Sequence, residues 1–303
     1  MIRYLRHTEI DKAKWDSLIA ASPHGMIYAY SWWLDIVCPG WEALVKEDYS
    51  ALMPLTCRSR AGIRYLYQPA FTQQLGVFGK EAQDATMTGE FMAAIPEEFK
   101  LIEISLNTGN LLSDKNSETS TSQTFHLSLN RSAGELFKSY SENTRRNIKK
   151  AKEENPAFQS GLSASELLEL YRSNQETKHG KLKSGEDVIL EKLIAACTEK
   201  KCGISVGLKA RDSKLKAGAF FVWSHKTLIF LFSATETAQQ KIRWLPLLID
   251  QCIAHDAGKD RILDFEGSDD EDLARFYRSF GAERVVYLRI RKNRLPIWLK
   301  WLK

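Results

Sequence analysis

A polar segment at residues 113–124 is the feature that most restricts the fold of this chain. It contains Ser, Thr, Asn, Asp, Glu, Gln and Lys and no bulky apolar residue. Such a segment cannot bury enough apolar surface to offset the entropy that it would lose on ordering. We therefore predict a linker at residues 113–124, between an N-terminal domain at 1–112 and a C-terminal domain at 125–303.

Both sides of this linker alternate between helix-type and strand-type hydrophobic patterns. Before the linker, the patterns predict helices over 10–21, 32–37 and 83–94, and strands over 42–45, 51–56, 63–67 and 100–105. After it, they predict helices over 132–152, 164–177, 186–200, 246–255 and 269–280, and strands over 125–129, 203–210, 216–223, 228–234, 261–265 and 284–291. This order indicates two similar α/β domains of the α+β type, each with a mixed, largely antiparallel sheet flanked by helices.

The composition narrows the class of protein further. Of 303 residues, 44% are hydrophobic and 27% charged, which is typical of a folded domain and excludes disorder, collagen and coiled coil. No apolar run approaches the roughly 20 residues of a membrane span, and the charged start of the chain is unlike a signal peptide, so we expect a cytoplasmic protein. Five cysteines without C-x-x-C spacing and six scattered histidines predict neither disulfides nor a metal site.

The positive charge is concentrated in one segment. Residues 138–152 carry six Lys or Arg against one Glu, whereas the whole chain has a net charge of +5. On a helix, Arg145, Arg146, Lys149 and Lys150 form a cationic stripe that either binds an anionic partner or is a solvated surface. No aromatic residues are interleaved with these cations, so we do not expect sequence-specific nucleic-acid binding.

A strand, a turn and a helix are predicted near the end of the chain. Asp264 and Glu266 lie at the end of the predicted strand, where they point to opposite faces if the strand is regular. Ser268 is the expected N-cap of the next helix, and Gly281 the residue that ends it.

Residues 264–268, followed by Phe276-Tyr277-x-x-Phe280-Gly281, resemble the end of the GNAT acyltransferase fold. More narrowly, they are similar to the tandem-GNAT group that contains the Fem-type peptidoglycan aminoacyltransferases. Residues 141–151 resemble the basic helix that opens the second domain in that group, and residues 68–76 carry the weaker similarity of the first domain. The resemblance implies two tandem GNAT-like domains and direct transfer of an acyl or aminoacyl group to an amine.

Such a transfer needs a base for the ammonium group of the acceptor and often an acid for the leaving group. By the resemblance, Tyr277 occupies the position of the acid, although its neighbours Phe276 and Phe280 also allow it to be an ordinary core residue. Glu266, at the strand end, is our candidate for the base.

The resemblance places the donor site in the loop at 235–245, before the helix predicted to begin at Pro246. The expected donor-binding groups are Lys241, Arg243 and the backbone N–H groups of Leu247 and Leu248. Most GNAT enzymes have a glycine-rich loop here that holds the pyrophosphate of coenzyme A. This loop has no glycine, which argues against acyl-CoA such as acetyl-CoA and favours a Fem-like donor.

Two hypotheses follow. The first is an N-acyltransferase, with a small-molecule or cell-wall-precursor amine as acceptor and acyl-CoA or aminoacyl-tRNA as donor. The second is a non-catalytic GNAT-like module that binds an anionic partner through the basic helix at 145–152. The Trp- and Lys-containing segment at 295–303 either contacts a membrane surface peripherally or packs against a domain.

Overall fold

The computed structural model describes residues 1–82, 84–113, 119–174, 182–236, 238–267 and 269–296, and the side chains at 238–242 lie outside this description. The chain divides into two compact units. The first comprises Met1–Gln123 together with Val286–Lys303, and the second comprises Thr124–Val285. The predicted C-terminal domain, by contrast, is one continuous segment at 125–303, whereas the structure assigns Val286–Lys303 to the first unit.

The helices and strands are numbered along the chain. In the first part they are β1 (Ile2–Leu5), α1 (Lys12–Ala21), α2 (Ser31–Val37), β2 (Glu42–Lys46), β3 (Ala51–Leu55), β4 (Cys57–Arg60), β5 (Ile63–Leu66), β6 (Phe78–Gly79), α3 (Ala85–Ala94) and β7 (Phe99–Ser105). They continue as β8 (Thr119–Ser128), α4 (Ala133–Ser139), α5 (Glu142–Glu153), β9 (Ala157–Ser160), α6 (Ala164–Ser173), α7 (Glu186–Glu199), β10 (Gly203–Lys209), β11 (Leu215–Ser224), β12 (Thr227–Thr235), α8 (Ala238–Asp256), β13 (Ile262–Asp264), α9 (Glu271–Arg278) and β14 (Glu283–Asn293).

The first unit contains two sets of paired strands. One is an antiparallel sheet in the order β1-β2-β3-β6. In the other, β4 and β5 form a hairpin, β7 pairs parallel to β5, and β14 returns to pair antiparallel with β7. The core between them includes Phe91 of α3 and Phe99 of β7, together with Leu288 and Ile290 of β14. The last strand is therefore part of the core of the first unit.

The second unit is built on the strand order β8-β13-β12-β11-β10-β9. Neighbouring strands are antiparallel except for β12 and β13, which are parallel. One face of this sheet carries the main apolar core. Helix α8 contributes Leu248 to this core, and the sheet side contributes Phe125, Phe221, Leu263 and Phe265. This mixed, largely antiparallel arrangement confirms the predicted fold class.

The long helix predicted to run from Ser132 to Lys152 is two helices. Ser132 does cap the first, and it forms a capping box with Glu135. The backbone is extended at Tyr140, and the hydroxyl oxygen of Ser141 then accepts a hydrogen bond from the N–H of Thr144 at 3.2 Å. A second N-cap inside the predicted helix therefore starts α5 as a new element.

Two further predictions differ from the structure. Residues 119–124 of the predicted linker begin strand β8, and residues 114–118 lie outside the described residues. The helix predicted from Pro246 begins eight positions earlier, at Ala238, with Pro246 inside it. Within the described part of the chain, no helix combines the length and apolar character that crossing a membrane requires.

Candidate active site

The parallel strands β12 and β13 separate after a short pairing. They pair only through Thr227 with Ile262, Leu228 with Leu263 and Ile229 with Asp264. β13 ends there, whereas β12 continues to Thr235. Beyond Ile229, the edge of β12 that faced β13 therefore has no β13 residue opposite it in the described structure. Main-chain groups on this edge of β12 therefore do not pair with β13 beyond Ile229.

A bulge in β12 lies inside this separated stretch. On β11, Phe220 pairs with Phe232 and Phe221 with Phe230, so Leu231 is an extra residue on β12. The bulge changes which side chains share a face. Phe230 packs on Phe265 on one side of the sheet, whereas Phe232 contacts Tyr171 of α6. Without the bulge, residues two apart would point to the same side.

The end of β13 is held by a buried network around Asp264, which is 7% exposed. The hydroxyl of Thr124, on β8, donates a hydrogen bond to Asp264 Oδ1, and the N–H of Glu266 donates to the same oxygen at 2.9 Å. The N–H of Gly267 in turn donates to Thr124 Oγ1 at 3.0 Å. These bonds fix the backbone that leaves β13, at the point where β12 and β13 separate.

The other carboxylate oxygen of Asp264 faces His126. The register of β8 and β13 places these two residues opposite each other, and His126 Nε2 lies 3.4 Å from Asp264 Oδ2. The imidazole is a quarter exposed, so one side of the pair reaches solvent. Sequence analysis missed this pair because its members are 138 positions apart and no local motif connects them.

Glu266 lies two residues beyond the strand, in a left-handed conformation with φ of +51°. The regular strand that would send Asp264 and Glu266 to opposite faces has already ended at Asp264. The turn places Glu266, half-buried, at the point where the two strands separate. Ser268, the predicted N-cap of α9, lies outside the described residues, and Asp270 caps that helix instead.

Tyr277 is part of the aromatic core of the second unit. Its ring stacks on Phe265 with centroids 5.1 Å apart and contacts Phe125 at 6.0 Å. The side chain is buried on the face of the sheet that carries the main core. The packing agrees with the core interpretation of Tyr277 and leaves its catalytic role as a proposal.

The same environment keeps the hydroxyl of Tyr277 protonated. Burial raises its pKa, and the negative charges of Glu266, Asp264 and Asp270 raise it further. A raised pKa keeps the phenol protonated at neutral pH, and it also makes the hydroxyl a weaker acid.

The early start of α8 changes the predicted donor site. Leu247 and Leu248 are fully buried in the middle of the helix, where backbone N–H groups bond to the preceding turn. They therefore cannot present free amides to a donor, and that prediction is wrong. Arg243, in the second turn, is half-exposed and forms an ion pair with Glu154 at 3.7 Å. The side chain of Lys241 lies outside the described residues.

β12 extends to Thr235 and α8 already begins at Ala238, so most of the predicted loop at 235–245 is helical. The N-terminus of a 19-residue helix directly follows the separated end of β12. Its first backbone N–H groups have no partner within the helix, and the helix dipole makes this end positive.

The basic helix α5 presents most of its cations to solvent. Arg146, Lys149 and Lys150 are exposed and Arg145 is half-buried. Among the described residues none of these four forms an ion pair, whereas Lys152 pairs with Asp250 at 3.1 Å. The apolar face of α5, with Ile148 and Ala151, packs into the main core. The described residues contain no cluster of three or more His, Cys, Asp or Glu that could hold a metal ion.

Comparisons with known proteins identify the fold. No family model matches the chain, and no curated protein matches its sequence. Solved structures do match: FemX superposes with a TM-score of 0.66 at 12% identity over 95% of this chain and 97% of FemX. The chain has a tandem GNAT fold.

Two further structures agree with this assignment. A tandem GNAT protein from the clavulanic acid biosynthesis pathway matches with a TM-score of 0.53 at 10% identity, over 98% of this chain and 99% of that one. The C-terminal domain of a putative lysylphosphatidylglycerol synthetase from Agrobacterium fabrum matches with a TM-score of 0.56 at 10% identity, over 92% and 91% of the two chains. The resemblance seen in residues 264–281 is thus confirmed at the level of the fold.

Proposed function

We propose that this chain is an acyltransferase that moves an acyl or aminoacyl group onto an amine, and that the reaction takes place in the second unit. The observation that carries the proposal is the separation of β12 from β13 after three residue pairs, next to the N-terminus of α8. The separated strands offer main-chain groups to an acyl donor, and the helix N-terminus suits a negatively charged part of that donor.

The acceptor amine attacks the carbonyl carbon of the donor, and a new C–N bond forms as the C–S or C–O bond of the thioester or ester breaks. The leaving group departs with the electron pair of that bond. Glu266, at the mouth of the separated strands, accepts the proton that the amine must lose. Tyr277, which burial keeps protonated, supplies a proton to the leaving group. The His126–Asp264 pair is a second candidate for the base, because a carboxylate beside an imidazole orients it for proton transfer.

Both donor classes remain within this proposal. The tandem GNAT neighbour is named as a form without AcCoA. The FemX and lysylphosphatidylglycerol synthetase neighbours support a cell-wall-precursor or lipid-linked amine as the acceptor. The aminoacyl donor is what the resemblance to Fem-type aminoacyltransferases implies. Arg243 lies near the start of α8, so it is our proposed cation for the donor. In the structure its guanidinium forms an ion pair with Glu154.

We further propose a cytoplasmic location.

A second candidate function is binding of an anionic partner through α5. It is favoured by the four cations Arg145, Arg146, Lys149 and Lys150, which form no ion pair in the described structure while the rest of α5 is anchored in the core. A helix fixed in this way presents its charges on a rigid surface.

The experiment that tests the proposed function is a binding and transfer screen on the full chain. Thermal unfolding is recorded with acetyl-CoA, longer acyl-CoAs, free coenzyme A and a charged tRNA pool, because a ligand that binds only the folded state raises its stability. Donors that shift the midpoint are then incubated with amine acceptors, and product is detected by mass spectrometry. Binding of a donor without transfer to any amine would favour the second candidate, and no response to any donor would reject the acyltransferase proposal.

A further inference from the structure

The end of helix α7 brings two cysteines together. Lys201, just beyond the helix, has a left-handed backbone with φ of +53°. Its N–H donates a hydrogen bond to the carbonyl oxygen of Thr198 at 3.1 Å, and the N–H of Cys202 donates to the carbonyl oxygen of Cys197 at 2.9 Å. These two bonds form a Schellman motif, in which Cys197 and Cys202 occupy the two positions whose side chains commonly contact each other.

The turn explains why the spacing of these cysteines gave no signal in the sequence. On a continuous helix, residues five positions apart point to different faces, because each residue turns by about 100°. Here the helix ends before Cys202, and the left-handed residue Lys201 reverses the chain toward Cys197.

The backbone hydrogen bond also limits how far apart the two cysteines are. With standard bond lengths, an N···O distance of 2.9 Å holds their Cα atoms no more than about 6.8 Å apart. Disulfides join residues whose Cα atoms are about 4.4–6.8 Å apart. Both residues are free thiols, and their side chains hydrogen-bond to each other. The backbone of this turn therefore already suits a disulfide.

The two thiols differ in exposure and in acidity. Cys197 is fully buried, whereas Cys202 is half-buried and partly accessible to reagents. The hydrogen bond from Cys197 lowers the pKa of Cys202, and the positive charge of Lys200 lowers it further against the effect of burial. The same hydrogen bond, together with burial, raises the pKa of Cys197. Cys202 is thus the thiol that ionises first and that a reagent reaches first.

The other three cysteines have a different environment. Burial raises the pKa of Cys38, Cys57 and Cys252. A thiol of this kind is inert, because the thiolate is the form that reacts with an oxidant.

We propose that Cys197 and Cys202 form an oxidation site that reacts with small disulfides and becomes an intramolecular disulfide between the end of α7 and the start of β10. The thiolate of Cys202 attacks one sulfur of the small disulfide, so a new S–S bond forms, the old one breaks, and one thiol leaves with the proton that Cys202 lost. Cys197 then loses its proton and attacks the sulfur of Cys202, which releases the second thiol. Two electrons pass from the cysteine pair to the small disulfide, which is reduced to two thiols.

The test uses glutathione as the probe. The folded, full-length chain is equilibrated in glutathione buffers of increasing disulfide content and quenched with acid, and the remaining thiols are alkylated in denaturant. Trypsin cleaves after Lys200 and Lys201, between the two cysteines, so a Cys197–Cys202 disulfide joins two peptides that mass spectrometry identifies. We expect this linked pair as the main product and its loss on treatment with dithiothreitol, while Cys38, Cys57 and Cys252 are recovered alkylated.

Three variants assign the roles of the two thiols. Cys197→Ala keeps the attacking thiol but removes the one that completes the reaction, so the mixed disulfide of Cys202 with glutathione should accumulate at least about tenfold above the wild-type level. Cys202→Ala leaves only the buried thiol of the pair and should form neither product. Cys252→Ala, in α8, is the matched control and should be oxidised like the wild type.

Three results would overturn the proposal. The first is that no linked Cys197–Cys202 peptides form at any glutathione ratio, and the second is that they form only when circular dichroism shows loss of the folded structure. The third is equal accumulation of the mixed disulfide in the wild type and in Cys197→Ala. The first two results come from the wild-type chain, so they hold even if a variant fails to fold. The proposal does not depend on acyl transfer, because the readout is the oxidation state of the thiols.

Discussion

The hydroxyl of Thr124 and the carboxylate of Asp264 are joined by a buried hydrogen bond across 140 residues of sequence. Thr124 is fully buried. Its hydroxyl oxygen also accepts a hydrogen bond from the N–H of Gly267, so it links β8 to the turn that leaves β13. The position of Glu266 depends on this link, because Glu266 lies between the two residues that the link holds.

Replacement of Thr124 by Val should destabilise the protein. The substitution keeps the shape but removes the donor to Asp264 and the acceptor for Gly267, so buried polar groups lose their partners. We expect a loss of about 1–3 kcal/mol in the free energy of unfolding, measured by urea denaturation. Ser128→Ala, at an exposed position of the same strand, is the matched control and should change stability little. Equal effects of the two substitutions would contradict the structural importance of the Thr124–Asp264 link.

A conservative substitution of Glu266 tests its proposed role as the base. Once a substrate pair is found, Glu266→Gln should lower the transfer rate by about 10²-fold or more, the usual contribution of a general base. Glu271→Gln, in the exposed first turn of α9, should leave the rate unchanged. A normal rate in Glu266→Gln, with a large loss in His126→Gln, would transfer the role of base to the His126–Asp264 pair.

Tyr277→Phe distinguishes a proton donor from a core residue. Phenylalanine keeps the stacking on Phe265, so the thermal midpoint should stay close to that of the wild type. If Tyr277 protonates the leaving group, the rate should fall most for donors whose leaving group is most basic. An unchanged rate with every donor would mean that Tyr277 serves only in packing.

Gly281 and Gly134 should respond to alanine in opposite directions. Gly281 has φ of +78°, and an added Cβ would lie 2.8 Å from Ser139 Oγ. Gly281→Ala should therefore cost at least about 1–2 kcal/mol. Gly134 lies in α4 with open space around it, so Gly134→Ala should stabilise the protein by about 0.5–1 kcal/mol. Chemical denaturation measures both, and a stabilised Gly281→Ala variant would disprove the strained geometry at that position.

The first unit should lose stability in acid through Glu42. Arg64 Nη2 contacts both carboxylate oxygens of Glu42, at 2.7 and 2.8 Å. Burial opposes the charge on Glu42, but the hydrogen bonds from Tyr4, Arg6 and Arg64 outweigh it and lower the pKa. A lowered pKa in the folded state gives stability that is complete above the ordinary value of about 4.5 and is lost as pH falls through the folded value.

Urea denaturation between pH 7 and about pH 3 measures this effect. The free energy of unfolding should fall more steeply below about pH 4.5 in the wild type than in Glu42→Gln, which has no carboxylate to protonate. Glu90→Gln, an exposed partner of Lys46, is the control and should keep the wild-type slope. Parallel curves for the wild type and Glu42→Gln would show that Glu42 does not carry the acid sensitivity.

Neutralising α5 tests its role as a polyanion site. A variant with Arg145, Arg146, Lys149 and Lys150 replaced by Gln should bind RNA or heparin more weakly and with a smaller dependence on salt, since each released counterion contributes to that dependence. The matched control replaces four exposed cations elsewhere in the second unit, namely Lys192, Lys201, Arg211 and Lys214. Equal losses in the two variants would show that only total charge matters.

The sequence was sufficient for the fold class and for most helices and strands of the second unit, because their apolar periodicity reports directly on the core. It failed where tertiary packing overrides a local signal. Pro246 is a typical first residue of a helix, yet here it lies inside α8. The residues on both sides of it are buried, and their packing stabilises the helix across the proline: Trp244, Leu245, Leu247 and Leu248. Ser141 acts as an N-cap that the continuous helical pattern around it conceals.

The candidate site was only partly predictable. Glu266 and Tyr277 come from one continuous sequence motif. Thr124, His126 and Asp264 meet because β8 pairs with β13, and the pairing of strands distant in sequence has no local signal. The bulge at Leu231 is likewise set by the register of β11 and β12 rather than by residue type.

The return of β14 to β7 has a consequence for synthesis on the ribosome. β14 supplies Leu288 and Ile290 to the core of the first unit, yet it is translated after the whole second unit. During translation, β7 therefore exposes an unpaired edge and part of its apolar surface until residues 286–293 have emerged. A chain that stalls in the second unit would leave a nascent first unit with an edge strand open to association with other chains.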